Sequence, residues 1–148
     1  MPSTVKIRVV EARNLPVMDR KSGSTDAYVE MRFGEWTDRT TVIKKSLNPI
    51  WEHTFKLEIL DDNQLQDFPL ELKIKDSNVY ASDDTIGMVI LDLNHLLQYS
   101  GRVQRSVNGW FPIFDSLRGI CGYLVCSISC KFLAILRACS CLFRSLVM

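Results

Sequence analysis

Residues 70–93 read LELKIKDSNVYASDDTIGMVILDL, two apolar segments on either side of an acid-rich loop. Leu70, Leu72 and Ile74 alternate with Glu71, Lys73 and Lys75, the period-two pattern of a strand with one buried face. Residues 85–93 form the next expected strand. Between them DSNVYASDDTIG, residues 76–87, carries Asp76, Asp83, Asp84 and Asn78, with the apolar pair Val79–Tyr80. Carboxylates at that density repel one another unless a cation sits among them, and Val79–Tyr80 has no evident core to bury in. Oxygen donors beside an exposed apolar tip suggest a calcium site that presses against an apolar surface.

Working outward, the chain repeats the pattern of short strands and turns. Val5, Ile7 and Val9 alternate with Lys6 and Arg8, and ARNLPVMDRKSGSTD, residues 12–26, is a loop by its Pro, Gly and Ser content. Val29, Met31 and Phe33 face away from Glu30 and Arg32 in a strand over 28–33. Gly34–Glu35 gives a tight turn into a strand over 36–43. Residues 46–49, SLNP, form a turn because Pro49 keeps Asn48 out of the helical region. Strands follow over 51–59, 110–114 and 122–130, with one helical turn near 61–69 and a short helix capped by Asn94 through Gln98. Trp51 and Trp110 each follow a turn and begin a strand, and both are expected in the core. Eight short strands without a long helical period predict an all-β fold, an antiparallel β-sandwich.

Size and charge narrow the function. At 148 residues the chain can bury a core, and its 47% hydrophobic and 24% charged composition is that of a globular domain. A net charge of +1 makes no case for nucleic acid, and none is expected as a partner. The last 30 residues hold three of the 18 basic groups and none of the 17 acids, leaving residues 1–118 at −2. All five cysteines lie within the last 28 residues, unlike a disulfide scaffold, and no charged-then-apolar leader opens the chain. A cytoplasmic protein is expected. His53 and His95 stand without a neighbouring nucleophile motif, and no phosphate-cradling glycine loop or zinc spacing is present outside the tail, so no enzyme is expected.

Four separated words, LPVMD at 15–19, TDAYVEMRFG at 25–34, SLNPIWEHTF at 46–55 and D-x-N-x₅-D-x-IG at 76–87, resemble the C2 domain family in order and spacing. The resemblance covers residues 4–131. It implies an eight-stranded antiparallel sandwich, in the family's permuted second topology because the strand into LPVMD comes first and a spare strand comes last. Residues 109–124, GWFPIFDSLRGICGYL, also resemble the close of an N-terminal module within the family, which implies a membrane-trafficking protein whose first part is this domain.

The resemblance implies calcium held between two loops by Asp19, Asp26, Asp76, Asn78 and Asp84, and docking on anionic phospholipid, either phosphatidylserine or a phosphoinositide. Asn78 stands where the family usually has aspartate, and Ala81 where it has an occasional serine ligand, so a reduced site is expected. Arg20, Lys21, Val79 and Tyr80 are the expected membrane contacts, and Arg32, Arg39, Lys44 and Lys45 a phosphoinositide patch. The expected role is calcium-dependent targeting of a peripheral protein to the plasma membrane or vesicles, in vesicle trafficking or exocytosis. The alternative is a calcium-independent module, binding a protein partner or phosphoinositide, with a vestigial calcium site.

Residues 1–131 are read as the domain and 132–148 as an apolar, cysteine-containing tail. Lys131, Arg137 and Arg144 interrupt any membrane-spanning run. An interfacial amphipathic helix with acylation at Cys139 and Cys141 is one reading. A helix folded onto the sandwich, or a terminus without a role of its own, is the plainer one.

Overall fold

The computed structural model describes residues 3–61, 63–96 and 105–132. The strands are β1 (Ser3–Arg13), β2 (Ala27–Phe33), β3 (Trp36–Arg39), β4 (Ile50–Ile59), β5 (Leu70–Asp76), β6 (Asp84–Leu91), β7 (Arg105–Asp115) and β8 (Gly119–Phe132), with one short helix, α1 (Asn63–Asp67). Their order is β3-β2-β5-β6-β7-β8-β1-β4, and every pairing is antiparallel. The last strand lies beside the first, the permuted arrangement expected from the sequence.

Two four-stranded halves make the sandwich, and one residue pair, Met88 with Phe114, joins them at the seam between β6 and β7. A Cβ at Gly87 would come within 2.6 Å of Ile113 Cγ2 and 3.1 Å of the Phe114 carbonyl oxygen, so the glycine permits the close approach of β7. Beside that contact the seam opens into an apolar groove of 460 Å³ lined in part by Met88, Ile90, Phe111 and Phe114.

Alternation along each strand builds the core. Val5, Ile7 and Val9 of β1, Phe55, Leu57 and Ile59 of β4, and Leu70, Leu72 and Ile74 of β5 are all buried. Trp51 is 8% exposed, and its indole N–H donates to the Ala27 carbonyl at 3.2 Å, which ties β4 to the start of β2. Cys121, Cys126 and Cys130 line the inner face of β8, where burial pushes the Cys126 thiol up to about 12. Phe33 pairs with Trp36 across the two-residue turn Gly34–Glu35; Gly34 has φ 58°, the left-handed conformation such a turn demands.

Three local expectations need correction. β3 ends at Arg39 rather than at residue 43. The Thr40 hydroxyl accepts from the Val29 N–H at 3.0 Å in place of a main-chain carbonyl, and pairing resumes only as a bridge between Ile43 and Ala27. Trp110, expected in the core, is 51% exposed on the outer face, with the Arg13 guanidinium 4.7 Å from its ring centroid. The helix capped by Asn94 is a single 3₁₀ turn, Leu93–Leu96, in which Asp92 Oδ1 accepts from the Asn94 N–H. Gln98 and tail residues 133–148, with Cys139 and Cys141, lie outside the described residues; β8 itself ends at Phe132.

Candidate metal and membrane-contact site

The loops after β1 (residues 14–26), after β3 (residues 40–49) and after β5 (residues 77–83) emerge at one end of the sandwich. Antiparallel connectivity puts them there, and a web of hydrogen bonds holds them. Asn48 Oδ1 accepts from the Asn14 N–H at 3.1 Å, Leu15 N–H donates to the Leu47 carbonyl at 3.1 Å, and Ser46 N–H donates to the Thr25 carbonyl at 3.0 Å. The SLNP turn therefore acts as a brace for the first loop. Asn14 itself sits at φ 59°, a left-handed conformation that asparagine tolerates.

Asp76 is the buried member of the acidic group, 5% exposed at the end of β5. Its Oδ1 accepts from the Asp26 N–H at 2.8 Å, and the Asp26 carbonyl accepts from the Ser77 N–H at 2.8 Å, so the first and third loops are stapled together. Burial raises the Asp76 pKa, and the negative charges of Asp26, Asp84 and Asp19 raise it further. The four acids thus lie near enough at this end of the sandwich for their charges to act on Asp76.

Each of the other acids already has partners. Asp26 Oδ1 accepts from the Lys45 N–H at 2.7 Å. The exposed Asp19 turns into its own loop, with Oδ2 accepting from the Ser22 hydroxyl at 2.7 Å and Oδ1 from the Lys21 N–H at 2.9 Å; these bonds lower its pKa, the Ser22 hydroxyl most. Asn78 uses its amide as a donor, to Asp84 Oδ2 at 3.1 Å and to the Ser82 carbonyl at 3.2 Å. An aspartate in that place would add charge opposite Asp84, whereas the amide relieves it. Asp83, left outside the ligand set by the sequence reading, is a latch: it accepts from the Tyr28 hydroxyl at 2.5 Å and the Asn78 N–H at 2.9 Å. Those bonds lower its pKa, while burial, with the Asp83 bond second, pushes the Tyr28 phenol up to about 12.

The donor chemistry fits a hard cation: carboxylate and amide oxygens in loops, one of them buried and raised by like charge. Among the described residues, however, no group of three or more His, Cys, Asp or Glu side chains is gathered in a form that could hold a metal ion. The acids share a field without forming a ready-made cage.

The expected contact residues divide by position. Val79 is 86% exposed and Tyr80 fully so at the tip of the third loop; Arg20 and Lys21 are exposed on the first. Lys44 and Lys45 lie on the second loop, with Lys45 bonded through its backbone to Asp26. Arg32 and Arg39 lie instead on the sheet face, where Glu30 sits opposite Arg39 and Lys73, and Glu71 opposite Arg32. The Lys75 ammonium is 3.0 Å from the Glu30 carboxylate, so the basic face is interrupted by acids. Lys73 and Lys75, missed as members of that face, were legible in the alternation of β5.

The connection between β7 and β8, also missed, reaches the same end. Arg118 donates from its guanidinium to the Thr85 carbonyl at 3.2 Å, the Ile86 carbonyl at 3.0 Å and Met18 Sδ at 3.3 Å.

Comparison with known proteins supplies the family context. A family model described as C2 domain matches residues 3–113. Human C2 domain-containing protein 5 is 47% identical over 123 residues, covering 82% of this chain and 12% of that protein. Multiple C2 domain and transmembrane region protein 6 of Arabidopsis thaliana is 40% identical over 90 residues, 61% of this chain and 8% of that protein. The chain thus spans only about an eighth or less of these relatives' length. A solved C2 domain of plant extended synaptotagmin 1 superposes with a TM-score of 0.70 at 25% identity, over 88% of this chain and 95% of that one.

Proposed function

The chain belongs to the C2 domain family, and on that premise we propose that it is a membrane-docking module that binds anionic phospholipid when calcium is held between its first and third loops. The observation that carries the proposal is the buried Asp76, bonded to the Asp26 N–H of the first loop and lying at the base of the loop whose tip exposes Val79 and Tyr80. That one relative is named for multiple C2 domains and a transmembrane region supports this reading. The attachment we propose is peripheral; no helix among the described residues is long and apolar enough to cross a membrane.

Asp26, Asp76 and Asp84 supply the carboxylates, with Asp19 and the Asn78 amide oxygen completing the set once their present hydrogen bonds are exchanged. Bound calcium supplies positive charge that offsets these acids and attracts lipid phosphate. The chain's own residues do the rest. Arg20, Lys21, Lys44 and Lys45 add cations at the same end, the tyrosine ring suits the headgroup boundary, and Val79 enters the apolar layer. Delivery of a longer protein to the plasma membrane or to vesicles, in trafficking or exocytosis, is the cellular role this reading suggests.

Two observations favour a second reading. The Asn78 amide donates to Asp84 from within the loop, and among the described residues the acids are not gathered into a cage; both suit a module that docks on phosphoinositide or protein without calcium. Calorimetric titration with calcium, with and without phosphatidylserine vesicles, separates the two. Heat and stabilisation that require calcium in the wild type and vanish in Asp76→Asn support the first. Lipid binding and thermal stability indifferent to calcium in both proteins support the second.

A further inference from the structure

Beyond the loops already discussed, the loop end of the domain carries another apolar tip. Residues 116–118 form the turn between β7 and β8, closed by the pair Asp115–Gly119, with Gly119 at φ 78°. Leu117, at the apex, is 93% exposed. A leucine so fully in water has no packing role in the fold.

The turn is nevertheless held firmly. Asp115 Oδ2 accepts from both the backbone N–H and the Nε–H of Arg118 at 3.1 Å. The same guanidinium reaches the start of β6 and Met18 of the first loop. Arg118 therefore fastens this turn to the first loop and to the strand that leaves the third. The neighbouring Val17 of the first loop is exposed as well.

We propose that Leu117, fastened by Arg118 beside the first and third loops, is an additional membrane-inserting tip that enters an anionic bilayer together with Val17, Val79 and Tyr80. The inference rests on the membrane-docking reading above. Its occupant is a bilayer rather than a protein because the apolar groups, Val17, the pair Val79–Tyr80 and Leu117, are distributed over three separate loops, among the cations Arg20, Lys21, Lys44 and Lys45. Such points slip between headgroups, whereas a protein partner is matched by a continuous apolar patch with a polar rim. The permuted strand order explains why the tip exists: with β8 last and paired to β1, the β7–β8 turn falls at the loop end.

The test compares the 148-residue wild type with Leu117→Gln, Tyr80→Gln and, at the opposite end of the sandwich, the exposed Leu60→Gln. Partition onto phosphatidylcholine vesicles containing phosphatidylserine is measured by sedimentation in calcium. Glutamine leaves charge unchanged, and all three sites are exposed, so thermal melts should coincide. Partition is expected to weaken about tenfold for Leu117→Gln and for Tyr80→Gln, and to stay unchanged for Leu60→Gln. Brominated lipid should quench the indole introduced by Leu117→Trp. Wild-type partition in Leu117→Gln alongside a loss in Tyr80→Gln overturns this inference and leaves the docking function standing. Wild-type protein that ignores the vesicles in every condition overturns both.

Discussion

The Asp26 backbone N–H donates to Asp76 Oδ1 at 2.8 Å, joining two residues 50 positions apart. That bond makes the first and third loops a single unit and buries one carboxylate beside three others. Substitution at Asp76 should therefore be read as a loss of charge, provided that the acceptor is kept.

Asp76→Asn keeps an acceptor oxygen and removes the charge. Because the folded state raises the Asp76 pKa above 3.8, the folded protein holds this proton more tightly than the unfolded chain. Its stabilising contribution is full below pH 3.8 and is lost as pH rises through the raised value. In calcium-free buffer at neutral pH the variant should melt a few degrees higher than wild type, and the difference should disappear in acid. Added calcium should raise the wild-type melting temperature and leave the variant where it was. Differential scanning calorimetry across pH, with and without calcium, checks both halves.

Tyr28→Phe removes the hydroxyl that holds Asp83 and should loosen the third loop. The bond is the leading cause of the lowered Asp83 pKa, so its stabilisation is present above pH 3.8 and fades as pH falls through the depressed value. A melting temperature lower by a few degrees at neutral pH is expected, with the gap from wild type closing in acid. Amide exchange at Asn78, whose N–H also bonds Asp83, should speed up. Unchanged exchange there would show that the latch does not order the loop.

Gly122→Ala should be among the most damaging single substitutions. Gly122 has φ 104°, and an added Cβ would lie 2.6 Å from the Arg13 carbonyl oxygen and 2.9 Å from that of Asn14. Both clashes are with backbone at the exit of β1, which cannot swing aside like a side chain. A loss of about 3 kcal/mol is expected, readable by urea denaturation.

Two tryptophans should behave oppositely. Trp51→Ala empties a buried site and removes one of the two donors to the Ala27 carbonyl, leaving the Ile43 N–H, at a cost of about 3–5 kcal/mol. Trp110→Ala removes an exposed ring and one guanidinium contact, worth about 1 kcal/mol or less. Denaturation midpoints that rank them the other way would return Trp110 to the core.

Alternation made most of the sheet legible in advance. Strands whose apolar residues recur at spacing two, such as Val5–Val9 and Leu70–Ile74, bury the face that their pattern assigns. The failures fall where that signal is absent. Trp110 opens an apolar run in the sequence just as Trp51 does, although it lies in the middle of β7, and nothing local distinguishes a ring over the sandwich from one beneath it. β3 stops early because the Thr40 hydroxyl substitutes for a main-chain acceptor, a swap that residue type alone does not announce. Leu117 went unnoticed because an isolated leucine in a turn carries no periodicity.

The amino-acid sequence by itself determined the strand pattern, the family and the identities of the acids, because periodicity and motif spacing are local properties of a chain. Which acids touch, and what already holds them, was decided only by tertiary structure. Asp19 bonding within its own turn, Asn78 donating to Asp84, Asp83 taken by Tyr28 and Arg118 reaching Met18 are all relations of angle and distance. Hydrogen bonds and short-range fields depend on orientation over a few ångströms, and that scale is set only once the two halves of the sandwich close at Gly87.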